Sequence, residues 1–409
     1  MIAKQQNASV LSLAVLVAAL GYFVDIYDLL LFNIVRVKSL GDLGLSDTLI
    51  KTEGEFIISV QMIGLLIGGI VWGILGDKKG RLSVLFGSII IYSVANIVNG
   101  FVQTTNQYAL VRFIAGIGLA GELGAGITLV SEMATKEKRG LSTSLVAGVG
   151  LTGAVAAFFI SQYFHWRTCY IIGGSLGFCL LLLRISVVES GMYNQVKEMG
   201  AVSKGNLLMF FNNTKRLKKY VLAILIGLPT WYVIGVLVAF SNDFAKEFGI
   251  TEKINPGEAT MFAYVGISVG DVLIGFVSHW LKSRKKALFI FYMLTLIAIL
   301  FYFNQGAGSA ARFYIICGAL GFGTGFWAIF VTMAAEQFGT NLRATAATTI
   351  PNMVRGALPL ILILFNWLQE FTGHANAGLI TGIIIMAISF VAMMFTEETF
   401  GKDLDYIEQ

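Results

Sequence analysis

Long stretches of apolar residues alternate with short polar segments along the whole chain. About twelve of these stretches reach the roughly twenty residues that an α-helix needs to cross the hydrocarbon core of a bilayer. We expect helices near residues 11–37, 56–76, 82–103, 107–134, 141–164, 167–188, 220–242, 258–281, 287–304, 311–335, 345–369 and 376–396. The pattern therefore predicts an all-α membrane protein with twelve transmembrane helices.

The composition supports a membrane-embedded chain. Hydrophobic residues make up 56% of the 409 residues and charged residues only 13%, whereas about a quarter of a soluble domain is charged. The three cysteines, Cys169, Cys179 and Cys317, lie in apolar stretches, which favours core packing over a disulfide set or a metal site. The sequence contains none of the zinc-protease, α/β-hydrolase or nucleotide-binding motifs. We therefore expect neither an enzyme nor an ATP-driven pump.

Lysine and arginine collect in every second predicted loop. These residues are Lys78, Lys79 and Arg81, then Lys136, Lys138 and Arg139, then Lys215, Arg216, Lys218 and Lys219, and finally Lys282, Arg284, Lys285 and Lys286. By the positive-inside rule, both termini and the long central loop face the cytoplasm. The net charge of +5 is then a topology signal, and nucleic-acid binding is not needed to explain it. The compact chain is typical of a bacterial protein, so we expect it in the bacterial inner (cytoplasmic) membrane.

The chain contains an internal echo near half its length. The segment SEMATKEKRGLSTS is echoed by AEQFGTNLRATAAT, and one offset aligns Glu132 with Glu336 and Arg139 with Arg343. Duplicated halves that rock about a fixed site are typical of secondary transporters. We expect an N-terminal six-helix bundle in residues 1–189, a cytoplasmic linker in 190–219, a C-terminal six-helix bundle in 220–396 and a cytoplasmic tail in 397–409.

One loop motif resembles that of the major facilitator superfamily. GILGDKKGR is similar to the superfamily's loop between helices 2 and 3, with Gly73, Asp77, Gly80 and Arg81 in place. The resemblance implies the major facilitator fold and a cytoplasmic latch that stabilises one conformation, formed by these residues together with the echoed glutamates and arginines. On spacing alone, Asp77 and Arg81 stand at i and i+4, where they can pair or cap neighbouring helix ends.

Further motifs resemble particular branches of the same superfamily. RFIAGIGLAGELGAG, which carries Arg112 and Glu122, resembles the sugar-porter and metabolite:proton symporter branches. RATAATTIPNMVRG, which carries Asn352 and Arg355, resembles the helix 11 pattern of carboxylate and aromatic-acid symporters, and the DIYD of residues 25–28 resembles their helix 1 pattern. The resemblance implies a secondary transporter of a small organic solute.

Charged residues inside the predicted helices carry the strongest functional signal. They are Asp25 and Asp28 on helix 1, Arg112 and Glu122 on helix 4, Asp271 on helix 8 and Arg355 on helix 11. A charge at the bilayer centre costs about 2.5–3.5 kcal/mol on insertion scales. Such residues therefore normally face a bundle interior or a wet cavity and serve a function.

The two aspartates of helix 1 lie on one helix face. Desolvation and mutual repulsion there favour keeping a proton on at least one of Asp25 and Asp28. We predict that this pair couples transport to protons. The alternatives are a structural ion pair with Arg112 and direct contact with a cationic substrate. Glu122 is either a second proton carrier or a partner of Arg112.

Arg355 is the predicted anchor for an anionic substrate. An arginine fork near the middle of a helix suits a carboxylate or phosphate held by two hydrogen bonds. The alternatives are a permanent pair with Asp271, or a pair that the substrate displaces. In helix 7, Pro229 predicts a kink or an unwound point. We further expect the substrate cavity to be lined by Tyr22, Arg112, Trp231, Tyr232, Asn352 and Asp271.

These features together predict a proton-coupled symporter that imports a small organic metabolite, a carboxylate or a zwitterion, by alternating access. The alternatives are a proton-driven exporter of amphipathic compounds and, from another class, a receptor on the same fold that no longer transports. We expect a monomer in the lipid bilayer that binds protons and a small-molecule substrate. No cofactor other than the coupling proton, no metal and no nucleic acid is expected.

Overall fold

Helices make up all the regular structure of the described residues. The computed structural model describes residues 13–135, 138–186 and 204–408. Within these ranges, 12 helical spans are long and apolar enough to cross a membrane. The prediction of an all-α protein with twelve transmembrane helices is therefore confirmed.

In the described part of the first half, eight helices build six spans. They are α1 (Leu13–Asp42), α2 (Asp47–Lys79), α3 (Arg81–Asn99), α4 (Thr105–Leu119), α5 (Glu122–Met133), α6 (Arg139–Leu151), α7 (Gly153–Tyr163) and α8 (Trp166–Leu183). The sequence predicted that the first helix ends near residue 37 and that the second begins near 56, but both run beyond the apolar stretch. α1 ends at Asp42 and α2 begins at Asp47, and between them Gly44 turns the chain with a φ of 87°, in the left-handed region that favours glycine.

The second half, which is described throughout residues 204–408, contains nine α-helices and one π-helical turn. They are α9 (Thr214–Tyr232), the π-helix Val233–Val238, α10 (Ser241–Glu247), α11 (Pro256–Leu281), α12 (Arg284–Phe303), α13 (Ala310–Gly323), α14 (Trp327–Glu336), α15 (Arg343–Gly356), α16 (Leu358–Thr372) and α17 (His374–Phe395). α9 begins inside the predicted linker because Asn213 caps it, accepting from the Lys215 N–H at 2.9 Å. The boundary predicted at residue 189 lies outside the described residues, so the division into domains stays a prediction.

Several spans are interrupted, and the interruption in the seventh span is not where the sequence predicted it. α9 continues through Pro229, and the irregular backbone begins only at the π-helix. Proline lacks an N–H group, so the carbonyl of Leu225 loses its helical partner; the hydroxyl of Ser389 donates to that carbonyl at 2.7 Å instead. A neighbouring helix thus satisfies the carbonyl that the proline frees. Other interruptions separate α4 from α5, α6 from α7, α13 from α14, and α15 from α16.

The two halves pack against each other along α2 with α15 and along α6 with α11. Glycines permit the close approach. A Cβ added at Gly73 would lie 3.0 Å from the Cα of Thr345, and one at Gly275 would lie 2.6 Å from the Cβ of Ser144. We call the end of the bundle where α2 joins α3 the basic end, because Lys78 and Lys79 lie there, and the end where α1 joins α2 the opposite end.

Candidate functional site

The first buried ion pair of the site joins α1 to α4. The Nη1 of Arg112 donates to Asp28 at 2.8 Å, and both side chains are fully buried. The same nitrogen donates to the Oδ1 of Asn96 at 3.1 Å, and the guanidinium lies 5.3 Å from the ring centre of Tyr170. Arg112 is therefore held by its own half of the protein, and of the two aspartates it is Asp28 that neutralises its charge.

Asp25 lies one turn away on the same helix in a different environment. It is fully buried, and neither carboxylate oxygen has a hydrogen-bond partner among the described residues. The charged groups that act on it include Glu122, Arg184 and, from the second half, Arg355. An ionised carboxylate without a partner is costly to bury, and of the two aspartates Asp25 is the one that lacks a partner in contact among the described residues.

Glu122 is paired, but not with the residue that the sequence suggested. Its partner is Arg184, which follows α8 and contacts both carboxylate oxygens, one of them at 2.9 Å. Arg184 also donates to the carbonyl of Leu85 at 2.7 Å. Of the two alternatives that the sequence left open for Glu122, a pair with Arg112 is therefore wrong, because Arg112 pairs with Asp28, and the role of a second proton carrier stays a prediction. Sequence reasoning did not include Arg184 among the site residues; its position inside a predicted apolar helix was the available signal.

Arg355 lies on α15 and is almost completely buried. Its Nη1 donates to the Oδ1 of Asn352 at 3.0 Å, its guanidinium lies 5.5 Å from the ring of Trp327, and its Nε has no partner among the described residues. Asn352 in turn donates to the carbonyl of Ala120 at 2.8 Å, at the break between α4 and α5. This amide therefore connects the predicted substrate arginine of one half to the broken helix of the other.

Asp271 does not form an ion pair with Arg355 anywhere in the described structure, so a permanent pair between them is wrong for this conformation. Its Oδ1 accepts from the backbone N–H of Ala328 at 2.9 Å, in the first turn of α14. The first N–H groups of a helix lack internal partners and carry its positive end, so the break before α14 creates a better partner for the carboxylate than the arginine. Within residues 13–135, 138–186 and 204–408, Arg355 is left without a counter-charge in direct contact.

The aromatic residues predicted to line the cavity divide into two groups. Tyr22 is buried on α1 in the vicinity of Arg355 and Asp25, so it belongs to the central group. Trp231 is buried near the end of α9. The hydroxyl of Tyr232 donates to the carbonyl of Gly378 on α17 at 2.7 Å. This hydrogen bond holds Tyr232 inside the second half, and its geometry does not support the predicted contact with substrate.

At the basic end, Asp77 connects the two halves. It lies 3.3 Å from Arg81, and it accepts from the backbone N–H groups of Ala344 and Thr345 at 3.1 and 2.8 Å. The spacing argument allowed either a pair with Arg81 or a capped helix end, and both are confirmed. The first turn of α15 is thereby fixed to the end of α2, with Gly80 at a φ of 103° turning the chain into α3.

The residues of the internal echo pair crosswise. Glu132 of the first half contacts Arg343 of the second at 3.0 Å, and Arg139 contacts Glu336 at 3.5 Å. Each glutamate also holds an arginine of its own half, at 2.9 Å for Arg81 with Glu132 and 3.1 Å for Arg284 with Glu336. Sequence reasoning did not select Arg284, although it lies at nearly the same offset from Arg81 as the other echoed residues.

The C-terminal tail lies across these pairs. Leu404 is fully buried, and its carbonyl accepts from the guanidinium of Arg343 and from the hydroxyl of Thr340 at 3.2 Å. The carbonyl of Lys402 accepts from Arg139 at 3.3 Å. Since Arg139 belongs to the first half, the tail contacts both halves at the basic end.

A cavity of about 400 Å³ lies at the opposite end between α2 and α16. It is lined by Lys51, Thr52, Glu55, Asn366, Gln369 and Glu370. Among the described residues, no group of three or more histidine, cysteine, aspartate or glutamate side chains is arranged to hold a metal ion. The site therefore consists of buried charges, amides and aromatic rings.

Comparison with known proteins agrees with this architecture. The chain is 24% identical to a niacin transporter of Acinetobacter baylyi over 420 residues, covering 96% of this chain and 95% of the relative. It is also 24% identical to a 3-(3-hydroxy-phenyl)propionate transporter of Escherichia coli over 358 residues, covering 84% and 85%. A solved structure of the proton:xylose symporter XylE superposes with a TM-score of 0.78 at 17% identity, covering 96% of this chain and 97% of the other. The family model of the Major Facilitator Superfamily matches residues 11–358, most of the chain, and the chain therefore belongs to the major facilitator superfamily.

Proposed function

We propose that this metabolite transporter is a proton-coupled symporter that imports a small organic carboxylate. The observation that carries the proposal is Asp25, a fully buried carboxyl group with no hydrogen-bond partner among the described residues, within electrostatic reach of Arg355. The names of two relatives, a niacin transporter and a 3-(3-hydroxy-phenyl)propionate transporter, support a carboxylate as the transported chemical group. Both features fit a site that takes one proton and one anion together.

The coupling follows from the charge of Arg355. When no substrate is bound, this cation partly offsets the cost of burying an ionised Asp25 close to Glu122. A carboxylate bound to the fork of Arg355 neutralises that cation, so ionised Asp25 loses a favourable neighbour and takes up a proton. Because such coupling is reciprocal, the proton favours binding of the anion by the same factor. Proton and anion therefore cross the membrane together.

Asp28 has a different part in this proposal. Its ion pair with Arg112 holds a positive charge close to α1 without leaving that charge free to bind substrate. Arg112 then orients α1 and is not a substrate ligand. The proton-carrying role is thus assigned to Asp25, and Glu122 is assigned a structural ion pair with Arg184.

Alternating access supplies the remaining step. Breaking the contacts of the basic end would open the central site on that side, and the positive-inside rule assigns the basic end to the cytoplasm. The proposal includes a bacterial inner membrane, a monomer, and the proton as the only coupling partner.

Uptake into liposomes tests the proposal. Purified protein is reconstituted, and accumulation of radiolabelled niacin is followed with and without an imposed proton gradient. Asp25→Asn should abolish accumulation against a gradient and retain exchange of labelled for unlabelled substrate. Asp42→Asn, on the same helix but partly exposed at the opposite end, is the matched control and should transport normally. Accumulation by Asp25→Asn at the wild-type level would remove Asp25 as the carrier, and proton-driven efflux from loaded vesicles would favour an exporter.

A further inference from the structure

Arg36 joins the two halves at the opposite end. It lies near the end of α1 with only 4% of its surface exposed. Its Nη2 donates to the carbonyl of Ala239 at 3.1 Å, and its guanidinium lies 4.9 Å from the ring centre of Phe240. Ala239 and Phe240 form the break between the π-helix and α10. An arginine of the first half is thus attached to the point where a second-half helix is interrupted.

The charge of Arg36 has no counter-charge in contact. Neither Nε nor Nη1 has a hydrogen-bond partner, and no carboxylate lies within ion-pair distance of the guanidinium among the described residues. Glu55 and Asp243 act on it only from longer range. A neutral carbonyl and an aromatic ring are weak compensation for a buried cation. A glutamine could donate to the Ala239 carbonyl equally well, so this hydrogen bond alone does not explain why the residue is an arginine.

Arg36 also lies beside the cavity of the opposite end. A Cβ added at Gly54 would lie 2.6 Å from the Cδ of Arg36, so the arginine packs directly on the turn of α2 that carries Glu55. Glu55 lines the cavity of about 400 Å³. Arg36 therefore contacts the same turn of α2 that lines this cavity between the two halves.

We propose that Arg36 is a second anion-binding site that receives an organic carboxylate before Arg355 does. This proposal rests on the proposed function only because it takes the substrate to be an anion. When the opposite end opens, Nη2 releases the Ala239 carbonyl and the whole planar fork becomes free to hold a carboxylate through two hydrogen bonds. When the anion moves inward, Nη2 returns to the carbonyl and the end closes. The same guanidinium thus alternates between the bound carboxylate and the carbonyl of Ala239.

Binding stoichiometry tests this proposal without any proton gradient. Isothermal titration calorimetry of the full chain in detergent uses niacin as the probe, with benzoate and 3-(3-hydroxyphenyl)propionate as further carboxylates and nicotinamide as the uncharged control. The wild type should bind two carboxylates. Arg36→Gln should bind one with the affinity of the inner site unchanged, and Arg355→Gln should retain the one at Arg36. In liposomes, Arg36→Gln should raise the KM for uptake from the opposite end by about tenfold or more, as expected for a lost charged hydrogen bond.

Arg167→Gln is the matched control. Arg167 lies at the same end, stacks 4.2 Å from the ring of Trp166 and donates to the carbonyls of Gly100 and Val102, all within the first half. This variant should keep two sites and the wild-type KM. Arg36→Lys retains the charge without the planar fork, so it controls for misfolding of the glutamine variant. It should weaken the anion site at Arg36 and leave binding there detectable.

Three results would overturn the proposal. One is a single wild-type site that disappears with Arg355→Gln, which would leave the proposed function intact. Another is equal loss of inner-site affinity and thermal stability in Arg36→Gln and Arg36→Lys, which would reduce Arg36 to a structural contact. The third is the absence of carboxylate binding to the wild type. Conversely, binding that survives Arg355→Gln and disappears in Arg36→Gln would support the outer site even if the assignment of Arg355 fails.

Discussion

Replacing Asp28 with asparagine should destabilise the protein far more than the same change at Asp25, although the two residues lie one helical turn apart. Arg112 donates to Asp28 at 2.8 Å, and both side chains are fully buried. Removing the carboxylate charge leaves Arg112 buried without its counter-charge, which typically costs about 3–5 kcal/mol. Asp25 has no hydrogen bond to lose, so Asp25→Asn should cost about 1 kcal/mol or less.

The expected size of the difference follows from these contacts. An asparagine at position 28 can still accept one hydrogen bond from Arg112, so the low end of the range, about 3 kcal/mol, applies. That free energy changes the folding equilibrium by roughly 100-fold, which is a large part of the stability of a typical protein. The two variants should therefore be separable in one unfolding experiment.

Unfolding in detergent is the assay. The wild type, Asp25→Asn, Asp28→Asn, Arg112→Gln and the double variant Asp28→Asn with Arg112→Gln are compared by thermal unfolding under one condition. Since the double variant removes both charges, it should recover much of the stability lost by either single change. Niacin binding measured on the same samples separates folding from function.

Two results would refute this reasoning. Equal destabilisation by the two asparagine variants would mean that the ion pair of Asp28 does not distinguish the aspartates in the membrane-embedded protein. A double variant as unstable as the sum of its single changes would mean that the two side chains are not energetically coupled.

Three further predictions concern the basic end. Glu132→Gln breaks contacts with arginines of both halves, so the basic end should open more often. A cysteine introduced beside residue 132 should then react faster with a water-soluble maleimide, and unchanged labelling would count against a latch. Leu404→Asp inserts a charge at a fully buried tail position and should make the tail sensitive to limited proteolysis and slow uptake, whereas an equally resistant tail would contradict the packing. Burial raises the pKa of Glu398, but hydrogen bonds from Ser283 and from three backbone N–H groups outweigh it and hold that pKa below its usual value. Ionised Glu398 then stabilises the folded protein above the unfolded-state pKa of a glutamate, about 4.3, and this stabilisation is lost as pH falls through the lower pKa of Glu398 in the folded state. Glu398→Gln should therefore lower the melting temperature at pH 7 and have no effect at low pH; a constant difference across pH would contradict the assignment.

The sequence was sufficient to predict the number and type of the spans. The length of an apolar stretch is a local property, and the energy of burying it in lipid decides the structure almost alone. The helix ends were less predictable, because helical hydrogen bonding continues past the apolar stretch until a residue such as Gly44 turns the chain. Pro229 shows the same limit, since a hydroxyl from a distant helix satisfies the carbonyl that the proline frees.

The partners of the buried charges could not be predicted in the same way. Asp25 and Asp28 are equivalent on the helix face, and the choice between them depends on the rotation of α4, which carries Arg112, 84 positions away. The pair that the sequence suggested for Asp271 fails because the tenth span breaks before α14 and offers backbone N–H groups to the carboxylate. Gly323, the last residue of α13, and Gly325, inside the break, were a local sign of it.

The crosswise pairs at the basic end relate the internal echo of the sequence to the opening and closing of that end. Each half contributes one glutamate and one arginine at equivalent positions, so a motion that separates the halves at the basic end must break Glu132 from Arg343 and Arg139 from Glu336 together. Each glutamate retains an arginine of its own half, so neither is left buried without a counter-charge when the basic end opens. The duplication therefore supplies, in one arrangement, a closed state stabilised by two pairs and an open state in which both acids remain compensated.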